Sequence, residues 1–429
     1  MKKKVLLLGS DFGSYDVVIE AHKMGLYVIA TDLMDWSPTK AEADEAWMIS
    51  TTDIDVLEQK CRENDVKAVL YGASDFNITQ GRELCKRLGL PLFCSDDYGW
   101  KVARDKSEFK KVCESVGAPV AKGYKLTDAL SREELDKIIY PVVIKPVDKS
   151  GNRGMSYCHN EEELVAAYHK AREVSDNPTI VCERMLHGDE WVVNYVLTNG
   201  VGRMIYFGRE LHEHDQAANL YSMILTSANH LKVWNEEVEP YIQKFFKTAG
   251  FVNGIAWFEC MFDEDGHFYL IEPGYRFSSE TSYALYEKVD GFNSVRWYIE
   301  DALGVKHTEA DLPIGLNKAY REGVASYHLF STKAGIIHTI EGLEKVQSME
   351  NVVVDLPKRE GGKVADHANM GLIRVYGKNI EEIIDKYKAI NAVFSIKDER
   401  GENMFIRFDE YDQMREEFNA GLEQFGVKE

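Results

Sequence analysis

Apolar positions along the first hundred residues follow two alternating patterns. Short β-rich runs at 5–8, 27–30 and 68–71 are each followed by segments with helical spacing, at 14–24, 54–63 and 78–88. The alternation predicts a β-α-β series, and with it a doubly wound parallel sheet covered by helices. Helical spacing returns over 105–116, opened by Asp105-Lys106-Ser107-Glu108 and stopped by Gly117-Ala118-Pro119. The run 141–146 predicts a strand that delivers Lys145 near its end, 161–174 a helix, 179–182 a strand ending at Glu183, and 188–193 the start of another strand. From 206 to 230 the pattern is irregular, and a helix follows at 238–249. Beyond 323, short strands, turns at Glu341-Gly342 and Glu360-Gly361-Gly362, and a helix near 380–390 predict a small α+β domain. A last helix carries Tyr411, Met414, Phe418 and Leu422. No repeat or low-complexity tract interrupts the series.

The strongest local signal is the stretch 254–276, GIAWFECMFDEDGHFYLIEPGYR. Two apolar runs flank Asp265-Gly266, and Asp-Gly between such runs marks a hairpin. With Asp265-Gly266 as a two-residue loop, Glu259 stands directly opposite Glu272. Like charges facing each other across strands destabilise a sheet. A hard divalent cation is the simplest compensation, and magnesium shared with the phosphates of a nucleotide fits that role. The structural alternative is a four-residue loop that shifts the register, with Arg276 neutralising Glu272.

Composition narrows the class. A chain of 429 residues predicts about three domains, and 45% hydrophobic with 28% charged residues is ordinary for a globular enzyme. The net charge of −20 argues against nucleic acid or an anionic membrane as the main partner, so an anionic ligand needs a locally basic pocket. Seven scattered cysteines without CxxC spacing read as reduced thiols in a cytoplasmic protein. Lys2 to Lys4 and the apolar run after them imitate a signal peptide, but Gly9-Ser10-Asp11 ends the run too early. No stretch reaches the length of a membrane span.

Several residue groups could carry chemistry. Gly9 and Gly13 after the first strand lack GxGxxG spacing, which argues against a dinucleotide site. Residues 149–155, with Ser150, Gly151 and Gly154, form a polar glycine loop able to turn backbone N–H groups toward phosphate oxygens; no P-loop motif occurs. Glu183 and Glu190 at strand ends could accept hydrogen bonds from an adenine amino group and ribose hydroxyls, or be solvated strand ends. Arg209 and His212 lie in the irregular region, where a carboxylate or amino substrate could be held; a charged loop face is the commoner explanation. His212-Glu213-His214 as a metal site lacks further ligands nearby. Asp75 and Asn77 read as a helix cap or as ligand-facing groups at a strand's carboxyl end.

The order of these pieces resembles the ATP-grasp superfamily of ATP-dependent ligases. The resemblance is most specific at Asp105-Lys106, Ile144-Lys145-Pro146, Glu183, Gly188-Asp189-Glu190, Glu259 and Glu272-Pro273-Gly274-Tyr275-Arg276. It implies an N-terminal pre-ATP-grasp domain at 1–104, an ATP-grasp domain at 105–310 with lobes at about 118–188 and 189–310, and a C-terminal α+β domain at 311–429. Lys106 and Lys145 would contact ATP phosphates, and the loop with Ser150, Gly151 and Gly154 would close over them. Glu183 would meet the adenine edge and Glu190 the ribose. Glu259 and Glu272 would ligate magnesium, while Arg276 and Lys145 would serve the transferred phosphoryl group. The family's last motif is E-x-N-x-R, and Gly274 stands where its asparagine would complete a second magnesium site.

Glycine-driven spacing at Ala334-Gly335-Ile336-Ile337, Gly361-Gly362-Lys363-Val364 and Gly371-Leu372-Ile373-Arg374-Val375 is similar to the C-terminal domain of L-amino-acid ligases. The resemblance therefore implies a carboxylate-amine ligase that acts on small-molecule carboxylate and amine substrates through an acyl phosphate; the N-terminal and C-terminal domains offer surfaces on which a homodimer, frequent in the family, could form. A bicarbonate-activating carboxylase type and a catalytically reduced ATP-binding sensor are the alternatives.

Overall fold

The computed structural model describes residues 2–147, 154–213, 221–279 and 283–427. Strands Glu45–Trp47, Tyr27–Thr31, Lys4–Leu8 and Val66–Tyr71 form, in that order, a parallel sheet. Val5 to Leu8 are fully buried, as expected when helices cover both faces. Helices Ser14–Lys23, Ile54–Glu63 and Asp75–Leu88 supply that cover. The N-cap of the last is Ser74, whose side chain accepts from the Asn77 N–H; neither Asp75 nor Asn77 caps it.

Asp105 caps the helix Lys106–Val116 by accepting from the N–H groups of Ser107 and Glu108, at 2.9 and 3.1 Å. The helix thus opens with Lys106 and carries Lys110 one turn later on the same side. A small antiparallel sheet follows in the order Gly123–Tyr124, Ile180–Arg184, Val142–Pro146, Ser156–Cys158. Helix Glu161–Val174 closes a separate core with it through Leu164, Tyr168 and Ala171.

The largest sheet has eight strands, in the order Phe268–Gly274, Gly254–Asp263, Gly188–Thr198, Val201–His212, Tyr221–Thr226, Gly323–Phe330, Asn369–Gly377 and Val352–Asp355. The irregular region expected at 206–230 is therefore largely two strands. Val201–His212 is buried on both faces over much of its length, which removes the alternation that signals a strand. Gly208 adds to the disguise, yet a Cβ there would overlap the ring of Tyr206. The sheet also runs without a break across 310/311.

One buried ion cluster ties the chain's beginning to its end. Arg374, fully buried, donates from Nη1 to Asp16 Oδ2 at 2.6 Å, and its Nη2 lies 4.0 Å from Asp355 Oδ2. All seven cysteines are buried and unpaired. No helix among the described residues is long and apolar enough to cross a membrane.

Candidate active site

The hairpin brings Glu259 and Glu272 face to face, by a different route from the expected one. The loop has three residues, not two. Asp263 N–H donates to His267 O and Gly266 N–H to Asp263 O, at 3.0 and 2.9 Å, with Gly266 at φ +85°. That loop shifts the pairing by one residue, so Phe262 opposes Phe268 and Cys260 opposes Leu270. A bulge at Ile271 shifts it back, and Glu259 pairs with Glu272.

Lys106 Nζ stands 2.9 Å from Glu272 Oε2. Burial lowers the Lys106 pKa, but the attraction of Glu272 and its hydrogen bond outweigh burial, and the ammonium is held above its ordinary range. Arg276 does not neutralise Glu272. Its Nε donates to Asp75 at 2.6 Å and its Nη1 to Phe277 O at 2.8 Å, and its guanidinium lies 5.1 Å from the centre of the Trp257 ring. Asp75 thus faces the site.

A cleft of about 440 Å³ opens between the helix Lys106–Val116, the small sheet and the edge of the hairpin. Val120, Leu126, Ile180, Leu270 and Ile271 make much of its wall, and Lys106, Lys110 and Lys145 supply positive charge. Glu183 is gripped by Lys145 and by Lys110, the latter at 3.0 Å. Burial raises the Glu183 pKa, and the two lysines more than reverse it, so the carboxylate stays ionised. An apolar slot with convergent lysines suits a flat heterocycle joined to a polyanion. Lys110 was not singled out from sequence; its signal is the i+4 spacing from Lys106.

The remaining candidates divide. Glu190 is drawn toward His212, whose Nε2 lies 3.6 Å away, and Glu190, Glu210 and His212 hold ligand atoms within 4.8 Å of one another. Arg209 is paired with Asp189 and with the buried Glu417, so it links a central strand to the last helix. Ser150, Gly151 and His214 lie outside the described residues. Gly154 has φ +78°, where only glycine is unstrained, and a Cβ there would press on Pro146 at 2.8 Å.

Gly274 has a steric cause. It pairs with Trp257 across the hairpin, and a Cβ on Gly274 would overlap Trp257 Nε1 and Cε2. The indole fills the space an asparagine would use. Trp257 is buried, and its Nε1 has no hydrogen-bond partner among the described residues.

Comparison with known proteins places this geometry. Residues 105–310 match the family described as carbamoyl-phosphate synthase L chain, ATP binding domain. The 2-oxoglutarate carboxylase small subunit of Hydrogenobacter thermophilus is 26% identical over 338 residues, which cover 73% of this chain and 69% of that subunit. The formate-dependent phosphoribosylglycinamide formyltransferase of Wolinella succinogenes is 26% identical over 200 residues, 46% of this chain, and the match spans only 51% of that enzyme. Among solved structures, the L-amino acid ligase of Bacillus licheniformis superposes with a TM-score of 0.73 at 19% identity, covering 93% of this chain and 99% of that one. The matched segment 105–310 is thus similar to the ATP-binding domain of carbamoyl-phosphate synthase, and the fold of the chain is that of ATP-grasp proteins.

Proposed function

We propose that the protein is an ATP-dependent carboxylate-amine ligase that releases ADP and phosphate. The observation that carries the reading is the continuity of the site: a lysine-lined apolar cleft leads to facing carboxylates at Glu259 and Glu272, with Arg276 on the same hairpin arm. The adenine ring enters the apolar slot, and Lys145 and Lys110 turn from Glu183 toward its phosphates. Lys106 spans from Glu272 to the γ-phosphoryl, and the strand end at Glu190 reaches the ribose. Two facing carboxylates fit one divalent cation, and magnesium held there would neutralise the charge of the β- and γ-phosphates. The substrate carboxylate attacks the γ-phosphorus, the bond to the ADP oxygen breaks, and an acyl phosphate forms. Arg276, aligned by Asp75, holds the transferred phosphoryl group. An amine then attacks the acyl carbon and phosphate leaves. Such transfer asks the protein for alignment and charge neutralisation rather than covalent chemistry. In this reading 1–104, 105–310 and 311–429 are the supporting, nucleotide-binding and closing parts of the chain.

Phosphate release with ATP and magnesium, tested against pooled amino acids, pooled carboxylates with amines, and bicarbonate, decides the class. Release that requires both a carboxylate and an amine is the expected result. The similarity to a 2-oxoglutarate carboxylase subunit favours a second reading, a bicarbonate-activating enzyme, and release with bicarbonate alone would establish that instead. Lys145→Ala should weaken ATP binding by about tenfold to a hundredfold, the worth of a charge-assisted hydrogen bond. Calorimetric titration with ATP and magnesium checks it, and unchanged affinity removes Lys145 from the phosphate site.

A further inference from the structure

We infer that Trp257 converts the second metal subsite of this active site into a hydrogen-bond-donor subsite, so that the indole N–H, and not a second cation, meets the γ-phosphoryl oxygen. The inference rests on the ligase reading above and specifies how that site handles its anion.

The register fixes the position. Trp257 lies two residues before Glu259 on one strand, and Gly274 two residues after Glu272 on the other, so all four share one face of the hairpin arm. At that place an asparagine side chain would offer a carbonyl oxygen, able to ligate a cation. Gly274 offers nothing, and Trp257 Nε1 overlaps the position of the missing Cβ. An indole nitrogen is a donor only and cannot bind a metal. Exchanging an acceptor for a donor at one point reverses the charge of what can sit beside it, from cation to anion.

Two observations point the donor at a ligand. Buried N–H groups in folded proteins nearly always have a partner, and Trp257 Nε1 is buried with none among the described residues. The ring face is also used, because the Arg276 guanidinium lies 5.1 Å from its centre, in cation–π range. Asp75 holds the other side of that guanidinium at 2.6 Å. Trp257 therefore supplies an N–H from its edge and orients Arg276 with its face, and both groups serve the same anionic oxygens. An asparagine at 274 and a tryptophan at 257 are mutually exclusive in this packing.

The test needs neither substrate. Manganese is titrated into the full chain with excess non-hydrolysable ATP analogue (the β,γ-imido triphosphate), free manganese is read by electron paramagnetic resonance, and analogue and ADP affinities are measured by calorimetry. One bound ion per chain is expected in the natural protein. Trp257→Phe, which keeps the ring and loses the N–H, should still bind one ion while losing about tenfold in affinity for the triphosphate analogue and none for ADP. The pair Trp257→Ala with Gly274→Asn should bind two. Two ions of comparable affinity in the natural protein, or an unchanged analogue affinity in Trp257→Phe, would overturn the inference and leave the ligase reading standing. No nucleotide-dependent manganese binding in the natural protein would remove both.

Discussion

Glu272→Gln should lower turnover by about a hundredfold to a thousandfold, the range seen when one group that stabilises a developing charge is removed. The substitution preserves shape and removes the charge that the site depends on twice. Glu272 faces Glu259 across the hairpin and pairs with Lys106 at 2.9 Å. Without that carboxylate the proposed cation has one ligand instead of two, and Lys106 loses the partner that holds its ammonium above the ordinary range. Manganese affinity in the presence of nucleotide should fall together with phosphate release, while the unfolding midpoint stays close to that of the natural protein. A variant that turns over normally would remove Glu272 from the metal site.

The largest stability effect is expected from Arg374→Met. Methionine fills much of the volume but leaves the Asp16 and Asp355 carboxylates buried without their cation. Breaking a buried pair in this way costs about 3–5 kcal/mol, read from urea unfolding of the full chain. The deficit should depend on pH in a definite direction. Burial pushes the Asp355 carboxyl up to about 6, against the pull of Arg374, and Asp16 adds to the rise. A carboxyl with a raised folded pKa binds its proton more tightly in the native state. Its contribution to stability is therefore complete below the ordinary carboxylate range and is lost as pH rises through about 6. Removing Arg374 raises that pKa further, so the deficit should shrink between pH 8 and pH 5. Adding Asp355→Asn should flatten the pH dependence; a deficit that is the same at both pH values would show that the cluster carries no buried charge.

The sequence was most legible where a pattern is local. Helices 54–63 and 161–174 follow directly from apolar spacing, and the facing glutamates follow from strand alternation. The hairpin shows how such a result can be right through compensation: the turn is one residue longer than the simple rule predicts, and the bulge at Ile271 cancels the shift before it reaches Glu272. A bulge has no sequence signature of its own, so only the end point was readable. Strands Val201–His212 and Tyr221–Thr226 were hidden because burial on both faces erases the period of two. Arg209 reads in sequence as a substrate ligand or a charged loop face because its partner Glu417 lies 208 residues away. Trp257 goes unseen as a group of the site, and Asp75 reads as a cap or a ligand-facing group, for the same reason: their meaning comes from Gly274 and Arg276, which only the folded chain sets beside them.

The uninterrupted eight-stranded sheet bears on how this protein avoids aggregation. A chain ending at 310 would finish its sheet on Tyr221–Thr226, whose Met223, Ile224 and Leu225 are fully buried in the intact molecule. That strand would then present a bare row of N–H and C=O groups and apolar side chains to any other strand it met. Gly323–Phe330 covers the row, and the strands beyond it move the free edge out to Val352–Asp355, four residues long. The last third of the chain is thus a guard on the sheet's edge, and a short terminal strand is the form of edge least able to recruit a neighbour.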